Sequence, residues 1–437
     1  MRVLLTVFLT YLLSISIPFS VLCHAVTRTA DDVTGEWILT EQFPDETHTH
    51  RMSLKVADGK ITGQSGSSKL EGTISNSTIT LKWLNNDGSV QATFTGVAEA
   101  GALRGEGVWN DIKLKWSARR PGVRRTGGPR THTFTPIEFH RRFSYAVPPV
   151  LRIFPGDTVK TKSVDAGGTD ENSVHRSMGG NPLTGPFYIE DAIPGDTLVI
   201  KLNRVRTNRN WAQSGDSMVF SALSPGYVRN TKFDEKFSSR WLLDTNKGIA
   251  YLEKPTDPLK QFTIPLQPML GCVGVAPPGR DVIRTGDSGI FGGNMDYNQL
   301  REGTTIYLPV FHDGALLFMG DGHAAQGDGE LTGDALETSM EFEFTVDVIP
   351  GKSVGTPRAE NSEYLMAIGI GGSLDQALQR ATSEMARWLE GDYKLNNNES
   401  AMILGFALKY DVADLVGTQV SIVAKVPKST IAQLKHE

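Results

Sequence analysis

Apolar and polar residues alternate along the first quarter of the chain, and this alternation predicts short β-strands. Met52–Val56 alternates strictly and is followed by Asp58-Gly59, a pair typical of a two-residue hairpin turn. Similar segments recur between turns at Lys60–Gly63, Thr73–Ser75, Thr78–Leu81, Ala92–Gly96 and Leu103–Gly107. Short strands at regular spacing favour a meander or a small barrel. We therefore expect a small β accessory domain over residues 26–118.

A second pattern begins after a stretch that has no apolar period. Residues 119–130 are rich in Arg, Pro and Gly, which is typical of an exposed linker. Beyond them, the same PGDT turn leads into a strand at 155–158 and again at 194–197, and Ser339–Val348 alternates between an apolar and a polar face. Two copies of a turn are too few to indicate a repeat architecture. The pattern instead predicts one larger, mainly β domain over residues 131–437.

Helical spacing is convincing only near the C-terminus. Ser373–Gln376 has the form of a capping box, and it opens an apolar stripe at helical spacing, formed by Leu374, Leu378, Ala381, Met385 and Trp388. A second helix is predicted at about residues 399–409, before a strand at 420–426. The predicted fold class is therefore mainly β (α+β). It comprises a small N-terminal meander or barrel domain and a β-sandwich-like domain with a few C-terminal helices.

The N-terminal residues have the layout of a secretory signal peptide. Met1-Arg2 supplies a positive charge, Val3–Leu22 is mostly apolar, and Cys23-His24-Ala25 ends the segment with a small residue. We expect residues 1–25 to be removed and the mature protein to be exported, to the periplasm or the extracellular space, without stable insertion in a membrane. An uncleaved membrane anchor is the alternative, because the apolar run is long enough to span a bilayer.

Composition and charge narrow the class of protein. A chain of 437 residues is long enough for two or three domains with large cores. Its net charge of −5 gives no reason to expect a nucleic-acid partner. Once Cys23 leaves with the signal peptide, Cys272 has no partner for an internal disulfide. The apolar run Gly271–Val275 around it is typical of a buried free cysteine.

Candidate chemistry concentrates in Leu316–Glu330. After four apolar residues, this segment has five side chains within ten positions that can bind a metal or move a proton, namely Asp321, His323, Gln326, Asp328 and Glu330. Intervening glycines let the backbone turn sharply, so these polar groups can converge. A divalent cation accepts such a set of imidazole, amide and carboxylate donors. An acidic surface turn is the alternative, since the segment lacks the EF-hand and HExxH patterns.

Several longer motifs occur in a fixed order from Val150 to the end of the chain. They are the two PGDT strands, NPLTGPFYIE at 181–190, GCVGVAP at 271–277, GGNMD at 292–296, YLPV at 307–310 and GDGHAAQGDGE at 320–330. In these motifs the chain resembles the acetamidase/formamidase family. The resemblance implies an amidohydrolase that acts on short linear amides, with a mostly β fold, a bound divalent metal such as zinc or calcium, and a homo-oligomeric assembly. Residues 131–437 would then form the catalytic domain, with a small amide as substrate.

The chain departs from that family in three respects. It is expected to be exported, it carries the additional N-terminal β domain, and it reads AGGTDENSVHRSMGG over residues 166–180. The last segment follows Asp165 and is expected to help line the pocket. The identity of the amide therefore depends most on this segment.

The residue set suits hydrolysis of an amide. In an amide, resonance makes the carbonyl carbon a poor electrophile. A divalent metal activates water and polarises the carbonyl, while a carboxylate moves the proton of that water to the leaving nitrogen. We assign Glu330 as the general base, with Glu337 in reserve. The predicted metal ligands are Asp165, Asp321 and His323, and the predicted orienting residues are Asn294, Asp296, Gln326 and Asp328. For Asp165 alone, a plain turn at the end of a strand is the alternative role.

Two other classes of protein stay open. The first is an exported, non-catalytic protein that binds a polar ligand in a metal-held pocket. The second is a metal-dependent oxygenase on a jelly-roll-like scaffold, whose site requires two histidines and a carboxylate. For that second class His323 needs a histidine partner, and His175 and His312 are the candidates.

Overall fold

The computed structural model describes residues 33–99, 101–122, 127–234 and 236–434. The predicted signal peptide, residues 1–25, lies outside these ranges, so export stays a prediction. Homo-oligomerisation also stays a prediction. Within the described residues, no helix combines the length and the apolar character that a membrane span requires.

The first eight strands close into a barrel in chain order. They are β1 (Gly35–Gln42), β2 (Thr47–Ala57), β3 (Lys60–Ser65), β4 (Ser68–Ser75), β5 (Thr78–Leu84), β6 (Val90–Glu99), β7 (Ala102–Trp109) and β8 (Ile112–Arg119). Alternate side chains face the interior, so Leu54, Ile79, Leu81 and Phe94 are buried. Gly107 makes room for the Phe94 ring, because a Cβ at this position would lie 2.3 Å from it. The prediction of a small N-terminal β domain is confirmed.

The chain divides into two compact units, one containing Ser53–Ser117 and the other containing Glu36–Met52 and Ala118–Glu437. In the second unit, the described residues from Thr131 onward form four sheets. The six-stranded sheet has, in spatial order, β11 (Leu151–Ile153), β13 (Thr184–Ile189), β24 (Leu317–His323), β19 (Met269–Gly274), β22 (Gly292–Asn294) and β21 (Ser288–Gly289). The nine-stranded sheet has β28 (Lys409–Asp414), β29 (Val420–Pro427), β27 (Tyr364–Gly371), β26 (Arg358–Glu360), β23 (Thr305–Pro309), β14 (Thr197–Thr207), β25 (Met340–Ile349), β12 (Thr158–Lys162) and β9 (Thr131–Thr133).

Two smaller sheets complete the unit. The four-stranded sheet has β15 (Trp211–Gln213), β16 (Arg240–Asp244), β17 (Ile249–Leu252) and β18 (Ile264–Pro265), and the two-stranded one has β10 (Arg142–Phe143) and β20 (Ile283–Arg284). The described helices are α1 (Pro225–Asn230), α2 (Leu374–Tyr393), α3 (Asn397–Ala407) and α4 (Lys428–Ile431), with short 3-10 turns at Phe220–Ala222 and Asp257–Leu259.

The six-stranded and nine-stranded sheets pack face to face around a common core. Phe187 of β13 meets Phe344 of β25 edge to face, with ring centroids 5.2 Å apart. The same buried cluster contains Leu270 and Phe318 from the first sheet and Ile200 from the second. Two sheets that bury one apolar face each against the other form a sandwich. The predicted β-sandwich-like, mainly β fold is therefore confirmed.

The repeated PGDT motif has one physical role in both copies. In each copy the aspartate side chain accepts a hydrogen bond from the backbone N–H three residues earlier, Phe154 to Asp157 at 3.1 Å and Ile193 to Asp196 at 3.1 Å. The glycine before each aspartate has positive φ, 89° at Gly156 and 90° at Gly195. The two turns lead into β12 and β14, which flank β25 on either side in the larger sheet.

The C-terminal helices cover one end of the larger sheet. Ser373 caps α2 by accepting from Gln376 N, as the sequence predicted, whereas Asn396 and Glu399 give α3 a complete capping box. The buried stripe of α2 runs through Ala377, Ala381, Met385, Trp388 and Leu389, while Leu374 and Leu378 are exposed. The helix lies so close to β27 that a Cβ at Gly369 would lie 2.0 Å from the Ala377 carbonyl oxygen. The predicted stripe is thus correct only over its second half.

A buried ion pair between α2 and the larger sheet gives a test of this packing. Glu384 is fully buried and accepts from Arg358 Nε at 2.7 Å and from Gly355 N at 3.2 Å. We expect Glu384→Ala to lower the free energy of unfolding by about 3–5 kcal/mol, because it leaves the buried Arg358 guanidinium without its partner. Chemical denaturation measures this loss. Glu390→Ala, at an exposed position of the same helix, is the control and is expected to change stability by less than about 0.5 kcal/mol.

Candidate active site

Asp321 and His323 lie at the end of a strand of the six-stranded sheet. Strand β24 continues through His323 and pairs with β19, with Leu270 opposite Gly322 and Cys272 opposite Gly320. The next long strand, β25, belongs to the nine-stranded sheet. Residues 324–339 therefore cross from one sheet to the other. A paired strand fixes its side chains more firmly than a loop does, so both residues have a rigid support.

Six acidic or imidazole side chains converge near this strand end. They form three overlapping groups whose possible ligand atoms lie within 4.8 Å of one another, and all six are buried: Asp296, Asp321, His323, Glu330, Glu337 and Asp414. We call this set the carboxylate–imidazole cluster. Its members come from four separate segments of the chain, so only the folded structure assembles it.

His323 lies at the centre of the cluster. Its Nε2 atom is 3.0 Å from Glu337 Oε1, 3.7 Å from Asp321 Oδ1 and 3.9 Å from Asp296 Oδ1. The short contact with Glu337 lacks the alignment of a hydrogen bond, so Nε2 has no hydrogen-bond partner among the described residues. The imidazole therefore offers an unshared nitrogen to a space that three carboxylates face.

Gln326 determines which nitrogen of His323 is free. The Nε2 group of Gln326 donates to two backbone carbonyls, Asp296 O and, at 3.3 Å, Ala413 O. Its oxygen must then face the imidazole, where it lies 2.8 Å from His323 Nδ1. Because an amide oxygen only accepts, Nδ1 carries a proton, so in the neutral ring it is Nε2 whose lone pair faces the cluster. This is the arrangement that outer hydrogen bonds impose on metal-binding histidines.

Each of four acids uses one oxygen for a hydrogen bond, and in three of them the other oxygen is buried without a partner among the described residues. Asn181 Nδ2 donates to Asp321 Oδ2 at 2.9 Å and to Asn294 Oδ1 at 2.9 Å, and Asn294 in turn donates to Asp296 Oδ2. Ala335 N donates to Glu337 Oε1 at 3.1 Å and to Glu330 Oε1 at 2.9 Å.

The atoms left over are Asp296 Oδ1, Asp321 Oδ1, Glu337 Oε2 and His323 Nε2, which are buried without a hydrogen-bond partner among the described residues. Buried polar atoms without a partner are costly and rare, so four in one cluster require an explanation. Three carboxylate oxygens and one imidazole nitrogen are a suitable donor set for a divalent cation. Gly271 keeps the space open, because a Cβ there would lie 2.3 Å from Asp296 Oδ1 and 2.9 Å from Asp321 Oδ2. The residues present therefore fit a divalent cation.

The close packing of these groups changes the pKa values of the cluster residues. Burial raises the pKa of Asp296 and Glu330 well above the ordinary range, and neighbouring carboxylates raise both further. Burial also raises the pKa of Glu337, to about 7, although the adjacent His323 opposes the change. Burial by itself would lower the pKa of His323, but Glu337 and Asp321 outweigh it and raise this pKa well above its usual value. These acids therefore hold protons more readily than exposed acids do, and a cation bound among them would lower the same pKa values.

Three of the acids also sit in an unfavourable backbone conformation. Asp296, Asp321 and Glu330 have positive φ, at 40°, 57° and 47°. Such a conformation costs about 1–3 kcal/mol for a residue with a side chain, and it persists where the surrounding structure imposes it. Three instances within one cluster indicate that convergence of the side chains, rather than local preference, sets the backbone here.

The structure brings together most of the predicted site residues. Asp321, His323, Glu330 and Glu337 belong to the cluster, as does Asp296, while Asn294 and Gln326 hydrogen-bond to its members. Asp328 is exposed and accepts from Asn298 Nδ2 at 2.8 Å, so it lies outside this network. His175 is exposed and His312 lies against Pro277 O at 2.7 Å. Neither supplies the second histidine that an oxygenase site requires.

Asp165 is not brought to the cluster. One of its oxygens accepts from Arg209 Nη2 at 2.6 Å, and the other accepts from the backbone N–H of Thr169 at 2.8 Å. Arg209 also donates to Thr338 Oγ1 at 3.0 Å, next to Glu337 in the chain. The geometry therefore assigns Asp165 to the neutralisation of a buried arginine and corrects its predicted role as a metal ligand.

Sequence reasoning missed Asp414, Asn181 and Arg209. Asp414 ends β28, a strand that was not predicted, and its pKa is raised to about 6, mainly by burial. No motif surrounds it that could have pointed to the site. Asn181, by contrast, opens the NPLTGPFYIE motif, and this position was the signal available in the sequence. In the structure it has positive φ, 54°, which asparagine tolerates in turns.

A pocket of about 330 Å³ opens beside the cluster. Gln326 lines it, and so does Glu330 of the carboxylate–imidazole cluster. The other five members of that cluster do not line it. Apolar side chains, including Trp241 and Leu336, form much of the remaining wall. Glu330 is therefore the acid that lies between the buried donors and this pocket.

Residues 130–285 and 279–387 match the model of the acetamidase/formamidase family, so the matches together span more than half of the chain. An acetamidase of Mycolicibacterium smegmatis is 25% identical, over 55% of this chain and 76% of that protein. Among solved structures, an acetamidase from Yersinia enterocolitica matches with a TM-score of 0.59 at 27% identity, over 72% of this chain and 96% of that one. An acetamidase from Bacillus halodurans matches with a TM-score of 0.57 at 26% identity, over 70% of this chain and 100% of that one.

The space beside Gly271 gives a test of the cluster as a cation site. We expect Gly271→Ala to weaken binding of a divalent cation by about tenfold or more, because the new methyl group displaces Asp296 and Asp321 from their common centre. Calorimetric titration of the cation-stripped protein with zinc measures the affinity. Gly286→Ala is the control, since a Cβ there meets no atom within 4 Å. Equal zinc affinity in both variants would show that the cluster does not hold the cation.

Proposed function

This chain belongs to the acetamidase/formamidase family, and on that premise we propose that it hydrolyses short linear amides to a carboxylate and ammonia, with a divalent cation held in the carboxylate–imidazole cluster. One observation carries the proposal: Asp296 Oδ1, Asp321 Oδ1 and His323 Nε2 are buried without hydrogen-bond partners among the described residues, and the possible ligand atoms of these three residues lie within 4.8 Å of one another. A protein that only binds a ligand would not require a further acid, Glu330, between that centre and a pocket.

The donor set favours zinc over calcium as the cation. Zinc accepts a mixed set of imidazole nitrogen and carboxylate oxygens, whereas calcium takes oxygen donors almost exclusively. We assign His323, Asp321 and Asp296 as ligands, together with Glu337, whose Oε2 is buried without a hydrogen-bond partner among the described residues. When bound, such a cation would lower the pKa of a water molecule toward about 7 and polarise the amide carbonyl.

The chain itself orients these ligands. Gln326 holds the imidazole in the tautomer that leaves Nε2 free, and Asn181 and Asn294 each hold one oxygen of an aspartate. Because one oxygen of each aspartate is already bound, the other has a fixed direction. Such outer hydrogen bonds reduce the reorganisation that accompanies the reaction.

Glu330 is the proposed general base. It lines the pocket, and its Oε1 is held by Ala335 N at 2.9 Å, so its second oxygen is available to a water molecule there. Glu330 accepts a proton as the water attacks the carbonyl carbon. It then returns that proton to the amide nitrogen as the C–N bond breaks, which lets ammonia leave. Glu337 lies deeper, against His323, and is better placed as a ligand than as a reserve base.

The imidazole provides the first test of this function. We expect His323→Ala to lose both its bound divalent metal and ammonia release from acetamide, because it removes the central nitrogen donor of the cluster. Elemental analysis of the dialysed protein and an ammonia assay measure the two properties. His175→Ala, at an exposed histidine, is the control and should retain both. Retention of metal or of activity in His323→Ala would overturn the ligand assignment.

The base is tested separately from the ligands. We expect Glu330→Gln to keep its divalent metal content but to lower kcat for acetamide by about a hundredfold or more, because an amide side chain cannot take up the proton of the attacking water. Glu363→Gln, at an exposed glutamate, controls for a general effect of losing a carboxylate. If Glu330→Gln releases ammonia at the parental rate, another residue is the base.

A further inference from the structure

The pocket beside Glu330 is too large and too apolar for the smallest amides alone. It has a volume of about 330 Å³, and its wall includes Trp241, Phe262, Ile264, Pro265, Leu331 and Leu336. At roughly 30 Å³ for each water-sized group, the four non-hydrogen atoms of acetamide fill about 120 Å³. More than half of the pocket would then hold water against apolar side chains. A bound apolar group that displaced this water would be favoured.

The wall of the pocket is a fixed part of the fold. Trp241 lies on β16, and its Nε1 donates to Ser214 Oγ at 3.1 Å. Its ring meets the ring of Phe262 edge to face, with centroids 6.2 Å apart. Ile264 and Leu336 belong to the same small apolar cluster as Trp241. A pocket built from paired strands and packed aromatic rings exists before a ligand binds.

The pocket has a polar end and an apolar wall. Gln326 and Glu330 are at the end that meets the carboxylate–imidazole cluster, whereas the aromatic side chains are Trp241, on β16, and Phe262, which precedes β18. A substrate whose amide lies at Glu330 therefore directs the group attached to its carbonyl carbon along the apolar wall. A pocket of this volume accommodates on the order of ten non-hydrogen atoms.

We propose that the preferred substrates are primary amides whose carbonyl carries a bulky apolar group, an aryl-alkyl or branched-alkyl chain, which occupies the pocket between Trp241, Phe262 and Leu336. This inference rests on the proposed amide hydrolysis and specifies its substrate class. Because apolar contacts raise the specificity of a pocket by about tenfold or more for each group that is well packed, the preference over acetamide is measurable.

The test compares kcat/KM of the full chain for formamide, acetamide, isovaleramide and phenylacetamide by ammonia release. We expect kcat/KM to rise along this series and to be at least tenfold higher for phenylacetamide than for acetamide. Trp241→Ala and Phe262→Ala should each reduce the phenylacetamide-to-acetamide ratio by about tenfold, since each removes one aromatic wall. Phe406→Ala, at a phenylalanine that is 88% exposed, is the matched control and should leave the ratio unchanged.

A second variant narrows the pocket rather than widening it. A Cβ at Gly327, which lines the pocket, meets no atom within 4 Å, so the backbone there has room for the first carbon of the side chain that Gly327→Leu adds. We expect it to lower the same ratio by about tenfold. Gly405→Leu, on exposed α3 and equally free of close contacts, is the control for the added side chain.

The outcomes separate this inference from the function on which it rests. Hydrolysis of acetamide at an equal or higher kcat/KM than phenylacetamide overturns the inference and leaves the proposed function intact. A ratio that does not respond to the Trp241, Phe262 or Gly327 variants also overturns it. Release of ammonia from none of the four amides overturns the proposed function, and the inference falls with it.

Discussion

The main constraint on this structure is the mutual repulsion of the buried acids that the fold holds together. Five carboxylates and one imidazole share a cluster that water barely reaches, and like charges in a medium of low dielectric repel strongly. A fold can maintain such a cluster only if the acids are neutralised, by protons or by a cation, and if the surrounding packing fixes each side chain. In the proposed function, the free oxygens and the free imidazole nitrogen hold that cation.

The sandwich supplies the rigidity. Asp321 and His323 end a strand that is paired on both sides, by β13 and β19. Asp296 follows β22, which lies on the other side of β19 in the same sheet, whereas Glu330 and Glu337 come from the segment that crosses to the other sheet. Asp414 arrives from the far edge of that sheet. Three acids adopt positive φ to reach the common centre, and the apolar core between the sheets outweighs this local cost.

In the proposed function, chemistry and selectivity belong to different parts of the second unit. The sandwich and the segment between β24 and β25 hold the donors, while Trp241 on the four-stranded sheet and Phe262, which precedes β18, line the adjoining pocket. Glu330 belongs to both the cluster and the pocket, so in the proposed reaction one residue both moves the proton and meets the substrate. Separation of this kind lets the wall change without disturbing the donors.

The sequence by itself determined the elements and the chemical class. Strict alternation predicted the strands of the barrel, the repeated PGDT turns marked the starts of β12 and β14, and the Ser373 cap located the long helix. These features depend on residues close in the chain, so local sequence is sufficient. The motif at 320–330 likewise identified Asp321, His323, Gln326 and Glu330 as chemistry-bearing, because unusual polar side chains stand there among glycines.

Only the tertiary structure decided which of those residues meet. It brought Asp414 and Asn181 to the cluster from distant segments, paired Asp165 with Arg209 instead, and left Asp328 at the surface. It also placed β24 and β25 in different sheets, although they are neighbours along the chain. The reason is physical: convergence at a site depends on how strands pair and how sheets pack, and both are set by burial of the whole core rather than by spacing along the chain.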